Sequence, residues 1–495
     1  MGSPGKSLTG KALLAKIRSD FMGLDTLYET VNGERTRRIY LDSTASSLML
    51  RPAASIAADF MKHYSNTHSK LHHSAHISTA AYDWAHARIL SFVGADPEIY
   101  TCFFTGSGTT GGINRMARVF RDVHPEKDTA IISIMEHHSN DLPHRKHMKN
   151  VIHVPVEGLN ENKMCISLPQ LEKTLREGAG KVSYVSITAV SNVTGIINPI
   201  QDIARLAHKY GALLMVDGAQ SVAHLPTKMF YPDDPDTCID ALVFSGHKTY
   251  TPGSPGVVIA RKDHLLAIEP EEVGGGMVDR VLEDRYQVKD SFPDREEAGT
   301  PNIPGAIALA TTIEILDRIG MQTLMEEEDI VMEAALKGMA DISEIHVYGG
   351  TDLDLCPRAA SISFNIAGMD HGLVAALLND YFNIAVRNQC FCAHPYVKEM
   401  MSDDLEDKFG IIDFGNMSPE FMRKAGMVRA SFGLYSTMED VELLISALKD
   451  ITQNGEEYSK GYEINAENDY VNVSYQVDNQ AIFNIVGAVD QYLED

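Results

Sequence analysis

The sequence predicts an α/β protein with a large, mostly parallel β-sheet and a smaller α/β domain at the C-terminal side. Two observations carry this prediction. Short apolar runs alternate with helical patterns between about residues 45 and 305, and a second alternating region reaches about residue 453. Continuously apolar runs indicate strands that are buried on both faces, and the helices between them indicate parallel connections. A chain of 495 residues is also longer than one compact core usually supports.

Seven apolar runs are the predicted strands of the large sheet. In chain order they are residues 100–104, 130–134, 151–156, 182–188, 213–216, 241–244 and 256–260. Helical stretches such as residues 201–210 separate several of them, and residues 38–42 form a short strand upstream. Polar groups that follow such strands lie in the crevice where open α/β sheets bind ligands.

Four divisions of the chain are predicted. They are a polar, helix-prone N-terminal segment (1–39) that packs with the small domain, the large domain (40–305), the small domain (306–453) and an acidic extension (454–495). A long helix over residues 306–319 leads into the small domain. Within the extension, residues 471–475 predict a strand and residues 481–492 predict a helix.

Composition excludes several classes of function. The net charge of −25 argues against a nucleic-acid-binding protein, which needs a basic face. No apolar run approaches the roughly 20 residues of a membrane-spanning helix, so no membrane association is expected. Six cysteines in 495 residues do not suggest a disulfide framework, and a cytoplasmic location is the simplest expectation.

Three strand-end segments indicate chemistry. The first, Leu-Met-Val-Asp-Gly-Ala-Gln at 214–220, delivers Asp217 at the tip of an apolar strand. A carboxylate there could keep a pyridine nitrogen protonated, as pyridoxal 5′-phosphate (PLP) requires. The alternative, a helix N-cap, is the commoner role of an aspartate in this position.

The other two segments supply a lysine and a glycine-rich turn. Ser-Gly-His-Lys at 245–248 follows the predicted strand 241–244, and Lys248 could hold a carbonyl cofactor as a Schiff base. The turn at 105–112, Thr-Gly-Ser-Gly-Thr-Thr-Gly-Gly, precedes a helix, where exposed N–H groups bind anions. A lone lysine in a loop is usually solvated, and a lone glycine-rich turn is a weak signal, so the prediction rests on the three together.

Their order and spacing resemble class V of the fold-type-I (aspartate-aminotransferase-like) PLP enzymes, and most closely the cysteine desulfurases of the selenocysteine-lyase-like branch. The resemblance runs from about residue 38 to 453. Its motifs are Tyr-Leu-Asp-Ser at 40–43, Glu-His-His-Ser-Asn at 136–140, Val-Ser-Asn-Val-Thr-Gly at 190–195, Val-Asp-Gly-Ala-Gln at 216–220, Ser-Gly-His-Lys at 245–248, Gly-Gly-Gly-Met at 274–277 and Glu-Ala-Gly-Thr-Pro-Asn at 297–302.

The resemblance implies how the cofactor is held. Lys248 would carry PLP and move protons, Asp217 would pair with the ring nitrogen, and His137 would stack on the ring and act in acid–base steps. Gln220 and Asn192 would contact the ring hydroxyl or the substrate. The phosphate would be held by Thr109, Thr110, Ser245 and His247, and by Thr300 of a neighbouring subunit in a homodimer.

The resemblance also implies substrate and sulfur-transfer residues. Arg429 would grip the substrate α-carboxylate, for which a planar guanidinium is suited, and Arg387 matches a second arginine near the site. Counting from Val-Arg at 386–387 makes Cys392 the cysteine that accepts sulfur as a persulfide. Cys390 falls where relatives carry other residues, and the Cys-Phe-Cys form also resembles molybdenum-cofactor sulfurases. A buried structural cysteine and a Cys-x-Cys metal site are the alternatives.

Two regions depart from the family pattern. A histidine-dense stretch at 63–76 suggests a metal site, but it matches a family loop at the active-site mouth in which His76 would contact substrate; no metal is therefore expected. Residues 393–428 form an insertion with an acidic run at 402–407. The insertion could cover the site, receive a sulfur acceptor or be a surface elaboration.

Three functions are compatible with these residues. The first is a cysteine desulfurase that converts L-cysteine to L-alanine and passes sulfur to an acceptor protein, with selenocysteine as a possible further substrate. The second is another class V reaction on a small amino acid, namely aminotransfer, epimerisation or β-elimination. The third is a non-catalytic scaffold that acts through its acidic tail.

Overall fold

The predicted sheet is present in the computed structural model, which describes residues 8–67, 69, 71–157, 165–354, 356–402 and 418–494. Its seven strands lie in the spatial order Tyr100–Thr105, Gly256–Arg261, Ala241–Ser245, Leu213–Asp217, Val182–Thr188, Thr129–Ser133 and Asn150–Val154. Each corresponds to one predicted run. Gly256–Arg261 is antiparallel to both of its neighbours, because the short turn after Ala241–Ser245 leaves no room for a crossover.

Helices cover both faces of this sheet. They are Arg51–Met61, His73–Phe92, Gly108–Val123, Leu142–His147, Leu168–Glu177, Ile200–Lys209, Lys262–Leu266 and Ile303–Ile319. Alternate residues of a strand point to opposite faces. Val185 and Ile187 therefore join the core on one side, and Tyr184 joins the core on the other. The result is a sheet that is buried on both faces.

A second, smaller sheet forms the C-terminal body. Its antiparallel strands lie in the order Ile345–Val347, Ser361–Ile366, Met427–Ser431 and Arg387–Gln389. The helices of this region are Met321–Ala340, His371–Phe382, His394–Met400, Pro419–Lys424 and Met438–Ser459. Ile384–Ala385 pairs in parallel with Ile39–Tyr40, which joins the N-terminal segment to this body. The predicted fold class is thus confirmed.

The N-terminal segment is less helical than predicted. Gly10–Ile17 is a helix, but Leu27–Glu29 and Arg35–Arg37 form an antiparallel hairpin. The sequence Asn32-Gly33 within its turn is a strong hairpin signal, and Gly33 adopts a positive φ of 77°. The preference of the Asn-Gly turn for a hairpin therefore outweighed the helix propensity of the segment.

The C-terminal extension folds back onto the small sheet's helices. Tyr462–Ile464 pairs with Tyr470–Asn472, and the helices Asn479–Ile482 and Ile485–Glu494 follow. The Tyr470 hydroxyl donates to Asp370 at 2.6 Å. The predicted boundaries fall inside elements, the last of them inside Met438–Ser459. In a further hairpin, Val278–Val281 pairs with Tyr286–Val288. Within the described ranges, we find no helix that is both long and apolar enough to span a membrane.

Candidate active site

A cavity of 220 Å³ lies at the carboxyl ends of the large sheet's central strands. Its lining includes eight of the predicted site residues: Thr109, Thr110, His137, Asn192, Asp217, Gln220, His247 and Lys248. Ala45, Ser139, Thr188 and Ala219 also line it and were given no role from the sequence, whereas Ser107 and Gly108, which line it as well, belong to the predicted anion-binding turn at 105–112. The sheet therefore brings Thr109 and Lys248, which are 139 positions apart in the sequence, into one site.

Asp217 and Lys248 form the charged centre of this cavity. Burial lowers the pKa of Lys248 to about 8, although the charge of Asp217 opposes that shift. Burial likewise raises the pKa of Asp217, against a hydrogen bond from the Ala219 N–H and the charge of Lys248. Lys248 is consequently poised to lose its proton near neutral pH, as an amine that attacks a carbonyl must.

The two histidines that line the cavity are held neutral. Burial, followed by the charge of Lys248, lowers the pKa of His137 to about 3 and that of His247 to about 4. The Nδ1 atom of His137 accepts a hydrogen bond from the Ser139 N–H at 3.0 Å, which leaves the proton of the neutral ring on Nε2. A neutral ring of fixed tautomer is suited to pack against an aromatic cofactor.

The glycine-rich turn builds an anion cradle at the start of the helix Gly108–Val123. The buried hydroxyls of Thr109 and Ser245 have no hydrogen-bond partner within the part of the chain that the structure describes. Gly108 has a φ of 59°, and a Cβ at this position would lie 2.9 Å from the Ser245 Oγ. A phosphate at this helix N-terminus would satisfy both hydroxyls, so the residues present fit the phosphate of PLP.

Arg429 is the buried cation of the small sheet's side of the site. Its Nη1 donates to the Asn192 carbonyl at 2.6 Å, and its Nη2 contacts Asp42 Oδ1 at 3.3 Å. Its Nε has no partner among the described residues. Arg387 lies directly opposite Arg429 in the neighbouring strand. Two cations in register disfavour each other, which makes this edge receptive to a carboxylate.

Cys392 lies on a tight turn beside these cations. Phe391 and Cys392 both have left-handed φ values, 50° and 54°, a conformation that costs free energy and is concentrated at functional sites. The Cys392 side chain is exposed, and the Arg429 guanidinium lies 4.7 Å from the ring centroid of the adjacent Phe391. The turn therefore presents an exposed thiol next to a residue that packs on Arg429.

Several contacts hold this turn against the large domain. The Asn192 amide donates to the Phe391 carbonyl at 2.7 Å, and the His138 N–H donates to the Cys392 carbonyl at 2.7 Å. The ring nitrogens of His138 and His394 are 2.9 Å apart. Asn192 thus positions both Arg429 and the cysteine turn.

Cys390 is in a different environment from Cys392. Its thiol donates to the Ala425 carbonyl at 3.2 Å, and burial raises its pKa to about 11. A thiol with a raised pKa is a poor nucleophile at neutral pH. These features favour a structural role for Cys390.

Six predicted site residues are not among those that line the cavity. Ser245, Arg429 and Cys392 are described above, and the other three are Thr300, Arg387 and His76. Thr300 is exposed and accepts a hydrogen bond from Asn66 at 3.0 Å. Arg387 is exposed on its edge strand. His76 was predicted in a loop, but it is exposed in the first turn of the helix His73–Phe92, whose start is capped by His72. His68 and residues 403–417, which include most of the predicted acidic run, lie outside the described residues.

Two acidic residues of the quoted motifs, Asp42 and Glu136, were given no role from the sequence. Asp42 follows the short strand Ile39–Tyr40 and contacts Arg429, which no sequence spacing reveals. Glu136 is buried beneath the cavity, where it accepts hydrogen bonds from Ser133 and Asn140, and burial raises its pKa to about 8. A lone acidic residue after the apolar strand Thr129–Ser133 was the available signal.

The fold and the cavity together define a class of protein. The chain belongs to the aminotransferase class-V family, whose model matches residues 39–444. Members of this family in general use PLP, and the cavity residues fit that cofactor.

Curated relatives and solved structures narrow the comparison. The chain is 34% identical over 432 residues to a probable cysteine desulfurase of Halalkalibacterium halodurans, covering 86% of this chain and 95% of that protein. It is 30% identical over 442 residues to a cysteine desulfurase of Pectobacterium atrosepticum, covering 88% and 98%. The apo cysteine desulfurase of Thermococcus onnurineus superimposes with a TM-score of 0.74 at 27% identity, covering 90% and 99%. The predicted resemblance to cysteine desulfurases is confirmed.

Proposed function

We propose that this protein is a PLP-dependent L-cysteine desulfurase in which Cys392 receives the sulfur. The observation that carries the proposal is the strained turn that exposes a thiol and packs, through Phe391, against Arg429 and Asn192 of the site. The names of the relatives support the same reaction.

The cofactor would be held by residues of the cavity. Lys248 would bond its aldehyde, Asp217 would face its ring nitrogen and His137 would lie on its ring. Its phosphate would receive hydrogen bonds from Thr109 and Ser245, with Thr110, His247 and Gln220 completing the site. When bound, the cofactor supplies an electron sink for bonds broken at the substrate α-carbon.

Side chains of the protein would bind the substrate and transfer protons. Arg429 would bind the substrate α-carboxylate through the Nε that has no partner within the described ranges, and Arg387 and His76 would meet substrate at the mouth. Lys248, with a pKa of about 8, can take up and release a proton at neutral pH.

The sulfur-transfer step needs no external oxidant or reductant. The C–S bond of cysteine breaks, an S–S bond forms to Cys392, and a proton replaces sulfur on the substrate carbon. Cysteine and the enzyme thiol thereby become alanine and the enzyme persulfide. A further thiol then accepts the outer sulfur and regenerates the Cys392 thiol.

The oligomeric state, the cellular compartment, the sulfur acceptor and the domain division are also proposals. We propose a homodimer in which Thr300 reaches the phosphate site of the partner, because this residue is exposed and lies away from the cavity of its own subunit. The six free cysteines favour a reducing compartment such as the cytoplasm. A sulfur-acceptor protein and the four-part division at residues 39, 305 and 453 belong to the same proposal.

The experiment that tests the function compares Cys392→Ser with Cys390→Ser in the holoenzyme. Alanine and sulfide are measured together from L-cysteine, PLP and a reducing thiol. The wild type should give equal amounts of both products. Cys392→Ser should lose at least about 100-fold in alanine formation, since the acceptor of the sulfur is removed, whereas Cys390→Ser should stay within about threefold.

Other outcomes would favour the remaining functions. Undiminished alanine formation by Cys392→Ser would refute the persulfide role. Amino-acid turnover without sulfide would point to a different class V reaction. A purified protein that binds no PLP would favour the non-catalytic scaffold.

A further inference from the structure

We propose that His208, Cys238 and Asp240 form a zinc site at the amino-terminal edge of the large sheet, away from the active-site cavity. The side-chain ligand atoms of these three residues all lie within 4.8 Å of one another. No ligand assignment follows from the resemblance to cysteine desulfurases, and the proposal is independent of the proposed reaction.

Two chain segments bring the three ligands together. His208 lies in the last turn of the helix Ile200–Lys209. Cys238 and Asp240 directly precede the strand Ala241–Ser245 and are separated by one residue. Since alternate side chains of an extended segment point the same way, both project towards His208. The active-site cavity is at the opposite, carboxyl ends of these strands.

The imidazole of His208 already has the orientation of a metal ligand. Its Nδ1 is 2.8 Å from the Asp236 carbonyl, and its Nε2 is 2.9 Å from Asp240 Oδ2. A carbonyl only accepts, so the Nδ1 carries a proton and the neutral ring has its lone pair on Nε2. A backbone carbonyl that fixes the tautomer in this way is the usual outer partner of zinc-bound histidine.

Without an ion, the same contact requires a charged histidine. Both Nε2 and the facing carboxylate would otherwise be acceptors. Burial opposes the charge of His208, but the hydrogen bond and charge of Asp240 outweigh burial and raise its pKa. In the ion-free cluster the 2.9 Å contact holds one proton between His208 and Asp240, which together carry no net charge, and burial raises the pKa of the Cys238 thiol to about 11.

Zinc can replace the protons of this cluster without changing its charge. One Zn²⁺ would displace the Nε2 proton of His208 and the thiol proton of Cys238, releasing two H⁺. The ion with a thiolate and a carboxylate is neutral, as the ion-free cluster is, so no net charge is buried. Metal binding to protonated ligands releases protons in this way.

Some neighbouring residues would favour a metal ion at this position, and one positive charge would disfavour it. The Leu214 N–H donates to Asp240 Oδ2 at 2.7 Å, and His264 lies 3.3 Å from Oδ1, which together fix the carboxylate. Arg261 is the opposing charge, 3.9 Å from Asp240 and hydrogen-bonded to Cys238. Asp263 neutralises much of it through two contacts of 3.1 and 2.7 Å.

The chemistry of the three ligand atoms determines which metal ions can bind. A thiolate and an imidazole are ligands of Zn²⁺ and related transition metals, whereas Mg²⁺ and Ca²⁺ require oxygen ligands. Three protein ligands leave a fourth position for water. The side chain of His208 is 17% exposed, which gives the ion a route in from solvent.

The test titrates the metal-free holoenzyme with Co²⁺, a spectroscopic substitute for Zn²⁺, and then displaces it with Zn²⁺. We expect one ion per chain, thiolate-to-cobalt absorption, release of about two protons per ion in weak buffer, and no competition by Mg²⁺. Cys238→Ser should abolish the absorption. Cys165→Ser and Cys392→Ser should retain it, which excludes the active-site thiol as the ligand.

A second variant guards against misfolding. If Cys238→Ser is not soluble, His208→Gln at the partly exposed position removes another ligand and should abolish tight binding. The proposal is overturned if no Co²⁺ binds at micromolar concentration, if the absorption survives in Cys238→Ser, or if it is lost in Cys392→Ser instead.

Discussion

The perturbed amine of Lys248 leads to a quantitative prediction for the cofactor-free protein. Burial lowers its pKa from 10.5 to about 8, which disfavours the ammonium form by about 3.4 kcal/mol. At pH 7 about one molecule in ten would carry the neutral amine, compared with about one in three thousand for an ordinary lysine. The reactive fraction is therefore roughly 300-fold larger.

Competitive acetylation of the apoenzyme over a pH series measures this pKa. Peptide mass spectrometry reads the labelling of Lys248, which the reagent reaches through the 220 Å³ cavity, and the exposed Lys181 serves as internal control. Labelling of Lys248 should rise through a midpoint near pH 8.

Asp217→Asn tests the cause of the shift. The charge of Asp217 raises the Lys248 pKa, so its removal should move the midpoint below pH 8 and leave Lys181 unchanged. A wild-type midpoint near 10, or an upward shift in Asp217→Asn, would refute the reasoning.

Three further predictions concern the contacts of the site. Arg429→Lys removes the planar carboxylate contact and should lower kcat/KM for cysteine by roughly 10–150-fold, the equivalent of 1.5–3 kcal/mol, mainly through KM in steady-state assays. Thr109→Val removes a hydroxyl that has no partner within the described ranges; PLP titration should show roughly tenfold weaker binding, while the urea midpoint of the apoenzyme should not fall. His394→Leu breaks the 2.9 Å contact with His138 and should slow alanine formation by roughly 2–10-fold, with unchanged PLP affinity; equal rates would show that the pair does not support the cysteine turn.

Local periodicity was sufficient for the large sheet. Each of the seven predicted apolar runs is a strand, because continuous apolar runs bounded by turns have few other ways to be buried. The antiparallel course of Gly256–Arg261 was not predicted. The short turn before this strand indicated its direction, whereas the composition of the strand did not.

The residues that line the cavity were predictable for a related reason. Asp217 and Lys248 each follow an apolar strand, and the carboxyl ends of neighbouring parallel strands meet at one edge of a sheet. Their proximity is therefore contained in the order of the elements. The motif resemblance then supplied Thr109, His137 and Gln220, all of which line the same cavity.

Contacts between distant segments were decided by the tertiary structure alone. Asp42 meets Arg429 across 387 positions of sequence, and the Asn192 amide donates to the Phe391 carbonyl across 199 positions. Likewise, Cys390 and Cys392 are separated by a single residue but lie in different environments. Burial raises the pKa of Cys390, whereas Cys392 is exposed. The positions of the strands along the chain follow from local periodicity, whereas their order in the sheet, burial, charge pairing and the presentation of a thiol depend on which segments pack together.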